Sequence, residues 1–175
     1  MPDEPGGLPA LTAHLCLHDN RLCELPDTLG RLTALRYLSV GVNRPTALPD
    51  MTGLVELRVE HNRLGALPGR LGRLSRLREL WLRGNALTRL PDSAADLREL
   101  RLLDLRGNAL PEVPPPLSGL PLLRRPDLRG NRVRTVPGRL AELPALEKLD
   151  LRWNRAPDDA APLTALTRRG CVVLT

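Results

Sequence analysis

Phenylalanine is absent from this chain, and the only other aromatic residues are Tyr37, Trp81 and Trp153. With aromatics at 2% and hydrophobic residues at 42%, the core has to be built from leucine, which points to a repeated unit rather than a conventional globule. Lysine is nearly missing too, so the formal charge of +6 is carried by arginine. Together with a pI near 10.4, this makes nucleic acid, anionic membrane and acidic protein candidate partners. Cysteines are few and odd in number, Cys16, Cys23 and Cys171, which argues against a disulfide framework and for a reducing compartment. No segment approaches the ~20 apolar residues that cross a bilayer. The opening MPDEPGGLPALTAHL has neither a basic leader nor a long apolar run, so a cytoplasmic protein is expected.

Asparagine is sparse as well, but it is regular. Asn20, Asn43, Asn62, Asn85, Asn108, Asn131 and Asn154 are spaced 23, 19, 23, 23, 23 and 23 residues apart. Leu or Val recurs three and five residues before each, with one exception at Pro126, and Pro commonly follows six residues after. One full unit reads NRLCELPDTLGRLTALRYLSVGV. It resembles the 23-residue leucine-rich repeat with an LP step, as in Ras-suppressor-like and plant intracellular Ras-group-related proteins and their bacterial counterparts. The resemblance runs from Leu8 to Thr175. It implies an α/β fold, a right-handed leucine-rich-repeat solenoid or horseshoe with parallel strands on the concave face and short helices or turns on the convex face. The expected division is a flexible segment over 1–7 and a single repeat domain over 8–175.

The residues support the same picture by their own chemistry. The LxL step has period two, so its leucines point one way and the residues between them the other. The outer segment LPDTLGRLTAL, with Leu at three-residue spacing after Pro-Asp, suits a short helix with Pro in its first turn. No unit can bury its apolar face alone, but stacked units can. An inward asparagine amide at each turn would donate to and accept from buried backbone groups. Eight strands are expected near 14–18, 37–41, 56–60, 79–83, 102–106, 125–129, 148–152 and 171–175, making a sheet about 34 Å wide. In the last of these, Val172 and Leu174 are expected to point inward.

Three departures stand out. The unit from Asn43 to Asn62 lacks four residues of its outer segment, so its helix should shrink to a turn and the local curvature should change. Pro126 takes a leucine position and falls about at the first residue of its strand, where proline is best tolerated. At the C-terminal end, PDDAAPLTALTRRG has acids first, Arg168 and Arg169 near its close and Gly170 after them, the signals of a helix. The strand that follows has no further repeat after it, so weak self-pairing through its edge is conceivable for an otherwise monomeric protein.

Chemistry is thin. No phosphate loop, paired catalytic carboxylates or nucleophile motif occurs, so no enzyme activity, cofactor or metal is expected. The nearest metal-like arrangement is His14-Leu15-Cys16-Leu17-His18, whose outward side chains share one strand face but have no obvious fourth ligand.

The concave face can be listed from register, as the positions six, four, two and one before each asparagine. Its charges balance, seven against seven, with the first three strands net −2 and the next four net +2. Asp-Leu-Arg in three successive strands sets an aspartate column, Asp104, Asp127 and Asp150, beside an arginine column, Arg106, Arg129 and Arg152. Taken alone, such columns read as a self-neutralising solvated face. The aromatics shift that reading, since Tyr37, Trp81 and Trp153 all fall on this face and aromatic side chains are the usual anchors of interfaces. The expected partner site is therefore Tyr37, Arg58, Trp81, Arg83, Leu102 and the two charged columns, with Trp153 on the far rim, while the seven asparagines form a structural ladder. Protein–protein recognition, by an adaptor or regulator in signalling, is the leading expectation. The alternative is nucleic acid or another polyanion held by flanking arginines such as Arg21, Arg44, Arg63, Arg132 and Arg155.

Overall fold

The computed structural model describes residues 13–156 and 161–175. The expected boundary between a flexible 1–7 and a domain beginning at residue 8 lies outside those residues. So do Asp158 and Asp159 at the start of the C-terminal helix signal.

Eight strands form one parallel sheet in chain order: β1 His14–Cys16, β2 Tyr37–Ser39, β3 Glu56–Arg58, β4 Glu79–Trp81, β5 Leu102–Asp104, β6 Arg125–Asp127, β7 Lys148–Asp150 and β8 Val172–Leu174. Each is three residues long, shorter than expected, because the chain turns away soon after the second inward leucine. Leu38, Leu57, Leu80 and Leu103 stack one over the next in register, and beyond Pro126 Leu149 faces Val173. With Val40, Val59, Leu82, Leu105, Leu128 and Leu151 these leucines form a fully buried interior. Each buried leucine contributes about 1.5–3 kcal/mol relative to an exposed one, so the stack of units holds together by apolar burial alone.

The outer segments are 3-10 turns, Asp27–Arg31, Leu71–Arg73, Asp92–Asp96, Pro115–Gly119 and Gly138–Glu142. A leucine every three residues explains the choice, since three residues per turn brings Leu29, Leu32 and Leu35 onto one inward line. Proline precedes four of the five turns and presets the backbone angle of entry. Between β2 and β3 no helix forms, as the four missing residues imply. There the chain runs so close to the preceding turn that a Cβ on Gly30 would clash with the Asp50 carbonyl.

Pro126 departs from expectation. It is the middle residue of β6, paired with Leu103, not the first. Two residues further along the ladder the inward residues donate their amides forward to the next unit, as Leu105 does to Asp127 and Leu128 to Asp150. Proline cannot donate, and the β6–β7 pairing is reduced to Asp127 and Asp150. Pro126→Leu is therefore expected to stabilise the protein by about 1 kcal/mol through a restored donor and added apolar burial. Chemical denaturation reads it; an unchanged or lower midpoint would show that the ring already fills its place.

The last strand is also corrected. The only α-helix among the described residues, α1 Ala161–Arg168, replaces a 3-10 turn and buries Leu163 and Leu166, and Gly170 then leaves it with φ +85°. The following strand is thereby set 24 residues after β7 rather than 23, with Leu149 facing Val173 and Lys148 facing Val172. A one-residue slip flips every side chain of a strand. Val173 is the inward residue, and Val172 and Leu174 sit in the outward register, with Val172 54% exposed.

Candidate protein-binding face

The ladder asparagines fix the edge of this face. The Nδ2 of Asn131 donates to the carbonyls of Leu105 (2.9 Å) and Leu128 (2.9 Å), and its Oδ1 accepts from the Leu110 amide (3.1 Å). Asn108 and Asn154 repeat the pattern one unit away on either side. At the truncated unit the donor changes: Pro45 occupies the position that elsewhere supplies the amide, and the Oδ1 of Asn62 accepts instead from the Asn43 amide at 3.1 Å. The residue before each asparagine is left-handed, which suits Gly84, Gly107 and Gly130 but not Asp19, Val42, His61 or Trp153, with φ of 53–60°. Val42 and Trp153 hold that conformation at a cost of the order of 1 kcal/mol.

Trp81 divides the face into two grooves. On one side, Arg58 lies between two rings, 4.8 Å from the Trp81 centroid and 5.9 Å from that of Tyr37. Its Nε bonds Glu56 at 2.5 Å, and Trp81 Nε1 donates to Glu79 at 3.1 Å. Burial works against the Arg58 cation, but the Glu56 hydrogen bond and charge outweigh it and raise its pKa further. Tyr37, Arg58 and Trp81, with Arg83 and Arg106, border a groove of about 360 Å³. On the other side a groove of about 500 Å³ extends from Trp81 and Leu102 over Pro126 to Val172, between Asp104, Arg106, Asp127, Arg129 and Asp150.

The charged columns are not a solvated lattice. Asp104 and Asp150 are buried, each beneath the guanidinium two residues on. Arg106 grips Asp104 with Nε and Nη2 at 2.9 and 2.5 Å and reaches across to Asp127 at 3.6 Å. Arg129 does the same with Asp127 (2.7 Å) and Asp150 (3.6 Å). Arg152 and Lys148 close on Asp150 at 2.8 and 3.7 Å. The correction follows from geometry: an aspartate is too short to leave the sheet, whereas an arginine two residues along can fold over it. Burial alone would raise the Asp150 carboxyl, but hydrogen bonds from the Arg152 side chain and backbone, with the Arg152 and Arg129 charges, hold it below its ordinary range. A depressed carboxylate stabilises the fold above its unfolded pKa and loses that contribution as pH falls through the folded value. The stability gap between wild type and Asp150→Asn should thus be constant above about pH 5 and narrow below about pH 4. A gap independent of pH in acid denaturation would remove Asp150 from the network's energetics.

Of the expected site residues, Trp81, Asp104 and Arg106 border both grooves, Leu102, Asp127, Arg129 and Asp150 line the larger, and Arg152 lies beyond its lining. Trp153 stands apart on the rim, 75% exposed, with Arg129 and Arg152 at 6.0 and 5.9 Å from its ring. Pro126 and Val172 were missed as lining residues. Sequence spacing carries no signal for Val172, because Leu149 to Val172 is the ordinary 23-residue step and the shift shows only in the β7–β8 pairing. His14 packs against Tyr37, centroids 5.6 Å apart. Among the described residues no group of three His, Cys, Asp or Glu side chains is placed to hold a metal.

The model of the leucine rich repeat family matches residues 52–110. Among solved structures, a leucine-rich-repeat protein of Leptospira interrogans is 27% identical with a TM-score of 0.75, covering 100% of this chain and 51% of that one. An internalin of Listeria monocytogenes superposes with a TM-score of 0.79 at 24% identity, over 98% of this chain and 50% of the other. A chain in the structure of PEPR1–AtPEP1 is 29% identical, TM-score 0.75, over 87% of this chain and 23% of that one. The chain thus spans about half the length of the first two. No curated protein matches it.

Proposed function

Starting from a chain that is a leucine-rich-repeat protein, we propose that it is a non-catalytic module that binds a protein partner on the open face of its strands, around Trp81. The carrying observation is the arrangement of Trp81: a large ring on the sheet face, locked by Glu79 and Arg58, and shared by two adjoining grooves. A ring held in place loses little entropy on binding, which is what an interface anchor requires. An adaptor or regulator of signalling is the role that suits such a module. The cytoplasm is its proposed compartment, supported by three free cysteines, two of them exposed.

Affinity capture tests the reading, with wild type beside Trp81→Ala and beside a charge reversal of Arg70, Arg73 and Arg76 on the outer side. Loss of the captured protein with Trp81→Ala supports it. Loss only with the outer-side reversal sinks it. The second reading, a polyanion on the flank, draws on Arg21, Arg44 and Arg63, exposed on consecutive units with no carboxylate within 4.0 Å among the described residues. Binding that falls steeply with salt and ignores Trp81 would be its mark.

A further inference from the structure

We infer that the larger groove takes the acidic face of an α-helix of the protein partner, a reading that rests on the open-face function proposed above. The charge count of this half of the sheet is nearly balanced, but on β5 and β7 depth separates the signs. The Asp104 and Asp150 side chains are 4 and 2% exposed, whereas Arg106, Lys148 and Arg152 above them keep 28, 42 and 40%. On those two strands a partner therefore meets cations with their counter-charges behind them, while on the strand between them Asp127 and Arg129 are about equally exposed, at 24 and 23%, and Glu147 at the groove's edge is paired with Arg124 and Arg125.

Those cations are also aimed. Arg106, Arg129 and Arg152 each commit Nε and Nη2 to an aspartate of their own strand. Among the described residues, Nη1 of each has no hydrogen-bond partner. Three strands in register thus present a row of guanidinium donors, immobilised in advance and suited to charge-assisted bonds from carboxylates. Spacing selects the form of the ligand. Adjacent strands lie about 4.8 Å apart. Acidic residues at i, i+3 or i+4, and i+7 of a helix rise about 4.5–6 Å per step. Same-face residues of an extended chain lying across the strands would be about 6.6 Å apart and would fall out of step by the third arginine.

The two ends of the row carry apolar rings, Trp81 at one and Trp153 at the other. Trp153 keeps a bulky exposed side chain at a left-handed position where three other units have glycine. Retained backbone strain of this kind is found at binding sites. The fitted helix therefore has carboxylates along its middle and apolar side chains at its ends.

The test is fluorescence anisotropy with a labelled 20-residue alanine-based helical peptide that carries Glu at i, i+4, i+7 and i+11 and Leu one turn beyond each end. Its controls are a peptide with the same glutamates scattered round the helix, one with Lys in their place, and a 20-residue oligothymidylate. The aligned peptide is expected to bind at least tenfold more tightly than the scattered one. Asp127→Asn/Arg129→Gln, which removes one charge of each sign and leaves net charge unchanged, should weaken it at least tenfold. Lys148→Gln, at an exposed amine, should weaken it about threefold and guards against a fold defect in the double variant. Equal binding of the scattered or lysine peptide overturns the inference, as does displacement of the aligned peptide by the oligonucleotide. If the aligned peptide fails while the captured protein still depends on Trp81, the inference falls and the open-face reading stands; a captured protein indifferent to Trp81 removes both.

Discussion

Asn131→Ala is expected to destabilise the protein by about 3 kcal/mol, although no catalytic or core-packing role attaches to the residue. The estimate follows from the groups left behind. The Leu110 amide loses its acceptor and is stranded in the interior, a cost of about 1–3 kcal/mol. The carbonyls of Leu105 and Leu128 lose one donor each but keep another, from Asn108 and Asn154 respectively, so each contributes only about 0.5–1.5 kcal/mol. Because every such amide ties one unit to its neighbour, the loss falls on the coupling between units as well as on one site, and the unfolding transition should broaden. Asn20 is the internal control. It is exposed, and among the described residues its amide reaches only the carbonyls of Leu17 and His18 in its own unit, so Asn20→Ala should cost under about 1 kcal/mol. Equal costs for the two in chemical denaturation would show that the bridging of units is not what stabilises the stack.

Trp81→Ala should weaken binding of the captured protein by about 2–4 kcal/mol, between about thirtyfold and a thousandfold, while leaving stability nearly unchanged. The asymmetry follows from where the ring sits. It projects from the sheet away from the leucine interior, so its removal opens no core cavity, yet it forms the wall common to both grooves. Truncation also frees Arg58 and Glu79 to move, so the partner would have to order them again. Arg83→Glu should act differently. Arg83 is exposed, and reversal there should mainly slow association and change its salt dependence. The same reversal at Arg106 is a poor test of binding, since it would set a second carboxylate against buried Asp104. Titration calorimetry on Trp81→Ala, paired with its denaturation midpoint, separates the two effects; parallel losses of affinity and stability would make Trp81 a structural residue.

Asparagine spacing, the LxL step and the LP step were enough to place eight strands, the missing outer helix of the short unit and the face that carries all three aromatics. Those features are legible because a repeat reuses one local solution, and period-two and period-three patterns need no knowledge of distant contacts. What escaped the pattern was whatever depends on a neighbour. The inward position of Val173 was set by α1, which lengthened one connection by a residue and shifted the register of β8. Pro126 looked like a strand's first residue until its neighbours' pairing placed it in the middle. The concave charges could be counted from sequence, but not their depth. Asp104 and Asp150 are buried because arginines two residues along fold back over them, and Arg106 and Arg129 also reach the aspartate of the next strand. Periodicity assigns a side chain to a face, but its length and its cross-strand partners decide whether it stays under the surface or meets what binds there.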